Sequence, residues 1–173
     1  MDFREISPKL LTDNLFEKIS DAWFLIGVGK EGRANCMTAS WGMAGVLWNR
    51  PMFTVFVRPQ RYTMDLISTH PAAAFSFLPE TFRPVLSRMG KISGRDTDKI
   101  ADSGLSPVYR DGAVYFREAD LVILGEKRYL HPMTEKEFLS SENVKRYYPA
   151  RDFHVAVTYE ITAVLKKENQ KNE

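Results

Sequence analysis

Two arginines, a glutamine and a threonine crowd into Val57-Arg-Pro-Gln-Arg-Tyr-Thr63, directly after the apolar run Met52–Val57. Guanidinium forks and hydroxyl groups are donors suited to phosphate oxygens. Their placement sharpens the chemistry. A strand stopped by Pro59 and a short helix, Met64 to Thr69, capped by Thr63 would set Arg58, Gln60, Arg61 and Thr63 at a helix N-terminus. Unpaired N–H groups and the helix dipole favour an anion there. Charge points the same way: no acidic residue occurs between Glu31 and Asp65, whereas Arg33, Arg50, Arg58 and Arg61 all do. The whole chain, with 24 basic and 22 acidic side chains, is nearly balanced. Solvated surface arginines are the alternative reading of the same residues.

A second group precedes the first. Thr38, Ala39, Ser40 and Trp41 lie where a strand gives way to a loop containing Gly42 and Gly45. Small side chains let a flat ligand approach backbone N–H and C=O groups, and Trp41, Trp48 and Tyr62 offer apolar walls. A glycine-rich loop around a core tryptophan has the same composition. Taken together, a cationic corner beside a small-residue turn suits a planar, phosphorylated ligand. The loop Gly90-Lys-Ile-Ser-Gly-Arg-Asp96 contributes Lys91 and Ser93. As sequence it is either a flap over that ligand or a plain connection.

Other chemistries fail on spacing. His70, His131 and His154 are scattered, so no metal site is expected. Cys36 is the only cysteine, which excludes an intrachain disulfide and fits a reducing cytoplasm. In a strand it reads as a small buried apolar residue rather than a nucleophile. No serine stands in a G-x-S-x-G elbow and no phosphate-binding G-x-x-x-x-G-K-[ST] loop occurs. Gly27-Val-Gly-Lys-Glu-Gly32 fits the dinucleotide pattern G-x-G-x-x-G, but strand-like residues follow it and no acid appears until Asp65. A hairpin turn over Gly29–Gly32 is expected instead. A net charge of +2, concentrated in one short stretch, does not describe a nucleic-acid groove.

The elements that must position these residues read as one domain over residues 1–165, followed by a charged tail, 166–173. With 44% hydrophobic and 27% charged residues the chain can bury a full core, and no apolar run is long enough for a membrane span. Thr12 is placed to cap a helical turn through Phe16 and Ile19. Strands are expected at Trp23–Val28, Arg33–Met37, Met52–Val57, Ala72–Leu78, Ala113–Phe116, Ala119–Leu130 and His154–Leu165, with a bend at Gly125. Helices are expected at Thr81–Met89 and Asp98–Ala101, and after the capping box Thr134-Glu-Lys-Glu137. Strands arriving in hairpins favour a mainly β architecture, an antiparallel barrel with peripheral helices.

Asn35-Cys-Met-Thr-Ala-Ser-Trp-Gly42, Leu47-Trp-Asn-Arg-Pro51, Val57-Arg-Pro-Gln-Arg-Tyr-Thr63 and Ser93-Gly-Arg-Asp-Thr-Asp-Lys99 together resemble the flavin reductase-like family of flavoredoxin type. The resemblance extends to Tyr147-Tyr-Pro and the closing strand. It implies an FMN-binding split barrel that forms homodimers with cofactor sites near the subunit interface. It implies that Thr38, Ala39, Ser40 and Trp41 line the isoalloxazine ring, that Arg58, Gln60, Arg61 and Thr63 hold the ribityl phosphate, and that Lys91 approaches the flavin. The function implied is NAD(P)H-dependent reduction of flavin, or electron transfer through bound FMN to a small molecule or redox partner protein; the alternative is a non-enzymatic FMN electron carrier. Chemistry resides in the flavin, so no catalytic side chain is expected.

Overall fold

The computed structural model describes residues 3–168. Ten strands form one antiparallel sheet: β1 Phe3–Ile6, β2 Phe24–Lys30, β3 Arg33–Ala39, β4 Gly42–Leu47, β5 Arg50–Val57, β6 Ala72–Phe77, β7 Pro107–Arg110, β8 Ala113–Phe116, β9 Leu121–Pro132 and β10 Val155–Lys167. Their order is β4-β5-β10-β9-β6-β2-β8-β7, with β1 on β10 and β3 on β2. The helices are α1 Leu15–Glu17, α2 Tyr62–Thr69, α3 Arg83–Lys91 and α4 Ser141–Tyr147. Among the described residues no helix is long and apolar enough to cross a membrane. The expected mainly β architecture with peripheral helices is therefore present.

Two apolar clusters explain why the central strands read as nearly continuous hydrophobic runs. Phe24, Ile26, Phe53, Val55, Phe75, Phe77, Ile123 and Tyr159 fill one side of the curved sheet. Leu25, Cys36, Ala74, Leu86, Met89, Val122 and Leu124 pack on the other. Because side chains alternate faces, the stretches 24–28 of β2, 73–75 of β6 and 121–124 of β9 are apolar at successive positions and feed both clusters. Sharp bending makes this possible. At Gly125 an added Cβ would stand 2.7 Å from the Cβ of Tyr159, so β9 and β10 approach closely beside a register shift at Ile161/Ala163.

The G-x-G-x-x-G match is a hairpin: Phe24–Lys30 pairs with Arg33–Ala39 in antiparallel register across Glu31-Gly32. Several boundaries differ from expectation for local reasons. Gly42–Leu47 is a strand rather than a loop, because β5 offers it an open edge to pair with. Asn14, not Thr12, caps the first helical turn by accepting the Phe16 N–H at 3.2 Å. Thr134 and Glu137 share the capping bond expected of them, but only one tight turn, Glu135–Glu137, follows. The α4 helix and strands β1, β4 and β7 had too little periodicity to be read. At the far end β10 continues through Lys166 and Lys167, paired to Arg4 and Phe3, so strand structure reaches into the segment assigned to the tail. Residues 169–173 of that segment lie outside the described residues.

Candidate functional site

The two groups of residues singled out in the sequence converge. Thr38, Ala39, Ser40, Trp41, Arg58 and Arg61 line a cleft of about 240 Å³, together with Met37, Phe56 and His154. Gln60, Arg61, Thr63 and Lys91 line a pocket of about 180 Å³ with Asn35, Lys99 and the Ile92–Gly94 loop. Met37 and Arg61 belong to both walls, so the two spaces adjoin.

Strand pairing makes the cleft. Thr38 and Ala39 end β3 opposite Leu25 and Phe24, and the chain then turns at Ser40-Trp41 into β4. The Thr38 hydroxyl donates to the Leu86 carbonyl of α3, tying the strand end to that helix. Trp41 is 39% exposed and meets the rings of Tyr147 edge-on at 5.4 Å and His154 at 4.9 Å. His154 Nδ1 lies 2.9 Å from the Tyr148 hydroxyl. Burial, reinforced by the charges of Arg58 and Arg61 and partly offset by Asp152, lowers the imidazole pKa to about 4. The cleft therefore carries a neutral histidine at neutral pH.

That shift has a testable sign. The folded-state pKa lies below the ordinary 6.5, so the contribution of the neutral imidazole to stability is full above pH 6.5 and is lost as pH falls toward 4. Comparing melting temperatures of the wild type and His154→Gln at pH 7 and 4.5 should show the wild type losing more. A gap that stays constant with pH would mean that the imidazole titrates as if free.

The expected phosphate residues split into two sets. Arg58 is ion-paired with Asp152 and donates to the carbonyls of Asp152 and Tyr147 at 3.2 and 2.9 Å, with its guanidinium over the Tyr148 ring. Gln60 Nε2 donates to the same carboxylate at 2.8 Å. Hydrogen bonds from Gln60 and Arg58 hold the Asp152 pKa below the usual carboxylate range. The positive charge of Arg58 is thus matched locally, and these two residues fasten the segment after α4 to the end of β5.

Arg61 differs. Its Nη1 donates to the Gly90 carbonyl at 2.9 Å, and no carboxylate pairs with it among the described ion pairs. Lys91 is exposed at the end of α3. Thr63 is not the helix cap, since α2 begins at Tyr62 with Arg61 at the cap position. Instead Thr63 is 1% exposed, and its Oγ1 accepts from Asn35 Nδ2 at 2.8 Å. With the oxygen engaged as acceptor, the hydroxyl hydrogen stays free to donate elsewhere.

Sequence reading passed over Asn35 and Lys99. Both stand inside motifs noted above, but neither showed a reason to turn inward. Lys99 is 4% exposed, and its ammonium donates to the carbonyls of Met89 and Ile92 at 2.9 and 3.2 Å. Burial lowers its pKa, and the nearby Arg61 charge acts the same way. A buried cation satisfied only by carbonyls is costly unless an anion completes it. The Ser93–Asp96 loop is a wall rather than a loose connection: Arg95 donates to Gln60 O at 3.0 Å and to Asp65 Oδ2 at 2.6 Å. It closes this tightly only because residue 94 is glycine, where a Cβ would lie 2.2 Å from Asn35 Oδ1.

Cys36 is fully buried, and burial pushes its thiol pKa up to about 12, which keeps it protonated and inert. Among the described residues no group of His, Cys, Asp and Glu is placed to hold a metal ion.

Comparison with known proteins gives the context. No curated protein matches the sequence significantly. Solved structures do. Flavoredoxin from Methanosarcina acetivorans is 23% identical with a TM-score of 0.66, over 85% of this chain and 69% of that one. An FMN-binding protein from Thermus thermophilus is 20% identical with a TM-score of 0.68, over 98% and 85%. An NADH:FAD oxidoreductase from Streptomyces globisporus C-1027 is 14% identical with a TM-score of 0.65, over 94% and 86%. These similarities establish the fold as the split barrel of such proteins. The sequence profile described as flavin reductase like domain matches residues 16–172, nearly the entire chain, and the protein therefore belongs to the flavin reductase-like family.

Proposed function

We propose that the protein is an FMN-binding oxidoreductase that takes electrons from NADH or NADPH and delivers them to flavin, another small molecule or a protein acceptor. The observation that carries this reading is the junction of the two spaces. A cleft walled by small residues and aromatics opens at Arg61 into a pocket with cations, Arg61, Lys91 and Lys99, that have no carboxylate partner among the described ion pairs. That donor set fits a flat ring with a phosphorylated tail. Family membership and the flavin-related names of the similar structures support it.

When bound, FMN supplies the hydride and electron chemistry. The protein's task is to hold and shape. Thr38, Ala39, Ser40 and Trp41 receive the ring, with neutral His154 at its edge. Arg61, the Thr63 hydroxyl, Lys91 and Lys99 receive the phosphate beside the N-terminus of α2. Arg58 and Gln60 serve mainly by locking Asp152, which keeps Tyr147 and His154 against Trp41.

The assembly we propose is a homodimer in the cytoplasm. Its support is the β4–β5 hairpin tip, where Val46, Leu47 and Trp48 leave apolar side chains 78%, 44% and 58% exposed. Sedimentation of the wild type and of Val46→Glu, which should shift toward monomer, tests this.

Absorbance of the purified protein near the flavin bands tests cofactor binding, and NAD(P)H oxidation with added free FMN tests turnover. Bound flavin without turnover would leave a non-enzymatic electron carrier. A purified protein without bound flavin, whose apoprotein also fails to take up FMN, would sink the proposal. Trp41→Ala should change the bound-flavin spectrum while lowering FMN affinity less than loss of Arg61 does; an unaltered spectrum places the ring elsewhere.

A further inference from the structure

Next to the ring cleft, and sharing Ser40, Trp41 and Phe56 with it, lies a larger chamber of about 990 Å³. The start of β4, Gly42–Ala44, forms one wall and the turn Leu15–Ser20 forms the other, with Met133 and Tyr148 at the side. The turn is held rather than loose. Asn14 caps it, and it exits through Trp23, whose φ of +65° redirects the chain into β2. Arg83 fixes that exit: its guanidinium lies 3.5 Å from the Trp23 ring centroid and donates to the Ala22 carbonyl at 2.9 Å. Apolar side chains are nonetheless left facing the chamber and water, Phe16 at 88% and Met43 at 56% exposure. The volume is that of a site for a small organic molecule.

Charge decides the occupant. Among the described residues no lysine, arginine or histidine lines the chamber. The one carboxylate among the described lining residues, Asp13, is paired with Lys166 at 2.6 Å and with Lys18 at 3.9 Å. A nucleotide phosphate entering here would lose hydration without gaining a counter-charge. The cations of the proposed phosphate pocket, Arg61, Lys91 and Lys99, line the other space and not this chamber. We propose that the chamber is a binding site for an uncharged, apolar ring compound, seated beside the proposed flavin ring, and that phosphorylated carriers are excluded from it. As a substrate site it rests on the FMN reading; as a binding site it stands without it.

Titration of the full chain, with and without FMN, with the uncharged fluorophore N-phenyl-1-naphthylamine tests this. Saturable fluorescence enhancement is expected. Phe16→Asp and Met43→Asp, both surface changes, should each weaken it roughly tenfold or more, the scale of one lost apolar side-chain contact. FMN affinity of the same variants should be unchanged, so a failed FMN titration and a failed probe titration are separate results. Probe affinity unaltered by both substitutions would overturn the proposal. So would displacement of the probe by ADP, or loss of probe binding only at concentrations where sedimentation shows a dimer, which would make a second copy the occupant.

Discussion

Arg61→Ala is expected to weaken FMN binding by about 2–3 kcal/mol, roughly 30- to 150-fold in Kd, the scale of losing a charge-assisted hydrogen bond to an anion. Arg61 is the guanidinium shared by the ring cleft and the phosphate pocket, and its side-chain bond to Gly90 O does not neutralise it. Arg58→Ala gives the contrast. Arg58 already spends its charge on Asp152, so its loss should change FMN affinity less than about tenfold. It should instead loosen the Tyr147–His154 segment, which its bonds to the Tyr147 and Asp152 carbonyls hold in place. Titration of apoprotein with FMN, alongside thermal melts, separates the two roles. Equal losses of affinity in both variants would mean that Arg58 turns from Asp152 to the ligand.

Lys99→Met should separate binding from stability. In the free protein the Lys99 ammonium is buried with carbonyl partners only, so replacing it by an apolar side chain of similar length should change folding stability by less than about 1 kcal/mol. FMN affinity should fall roughly tenfold or more, because the buried counter-charge is removed from the pocket wall. Urea melts of apoprotein and FMN titration of the same preparation give the two numbers. A variant that binds FMN normally would show Lys99 to be a structural cation, holding the loop after α3 and nothing else.

How much of this could be read in the sequence depends on how local the cause is. The hairpin at Gly29–Gly32 was legible because turn chemistry and alternation act within a few residues. The cationic corner was legible because Arg58, Gln60, Arg61 and Thr63 are close in the chain. What each does there was not. Arg58 and Gln60 find Asp152 some 90 positions later, as the separations 94 and 92 show. Thr63 is claimed by Asn35, 28 positions earlier, which removed it from the capping role its position suggested. Strand β4 hid among glycines, because pairing with β5 rather than its own propensity makes it a strand.

The sequence by itself settled the antiparallel plan and the family, together with the segments that hold small residues and positive charge. The plan and the segments follow from alternation, turn residues and runs of types within single segments, and the family from the resemblance of four linked motifs. Only the folded chain decided which cations remain unpaired. Charge pairing is a matter of distance in space, and the carboxylate that silences Arg58 and the burial that isolates Lys99 both come from distant parts of the chain.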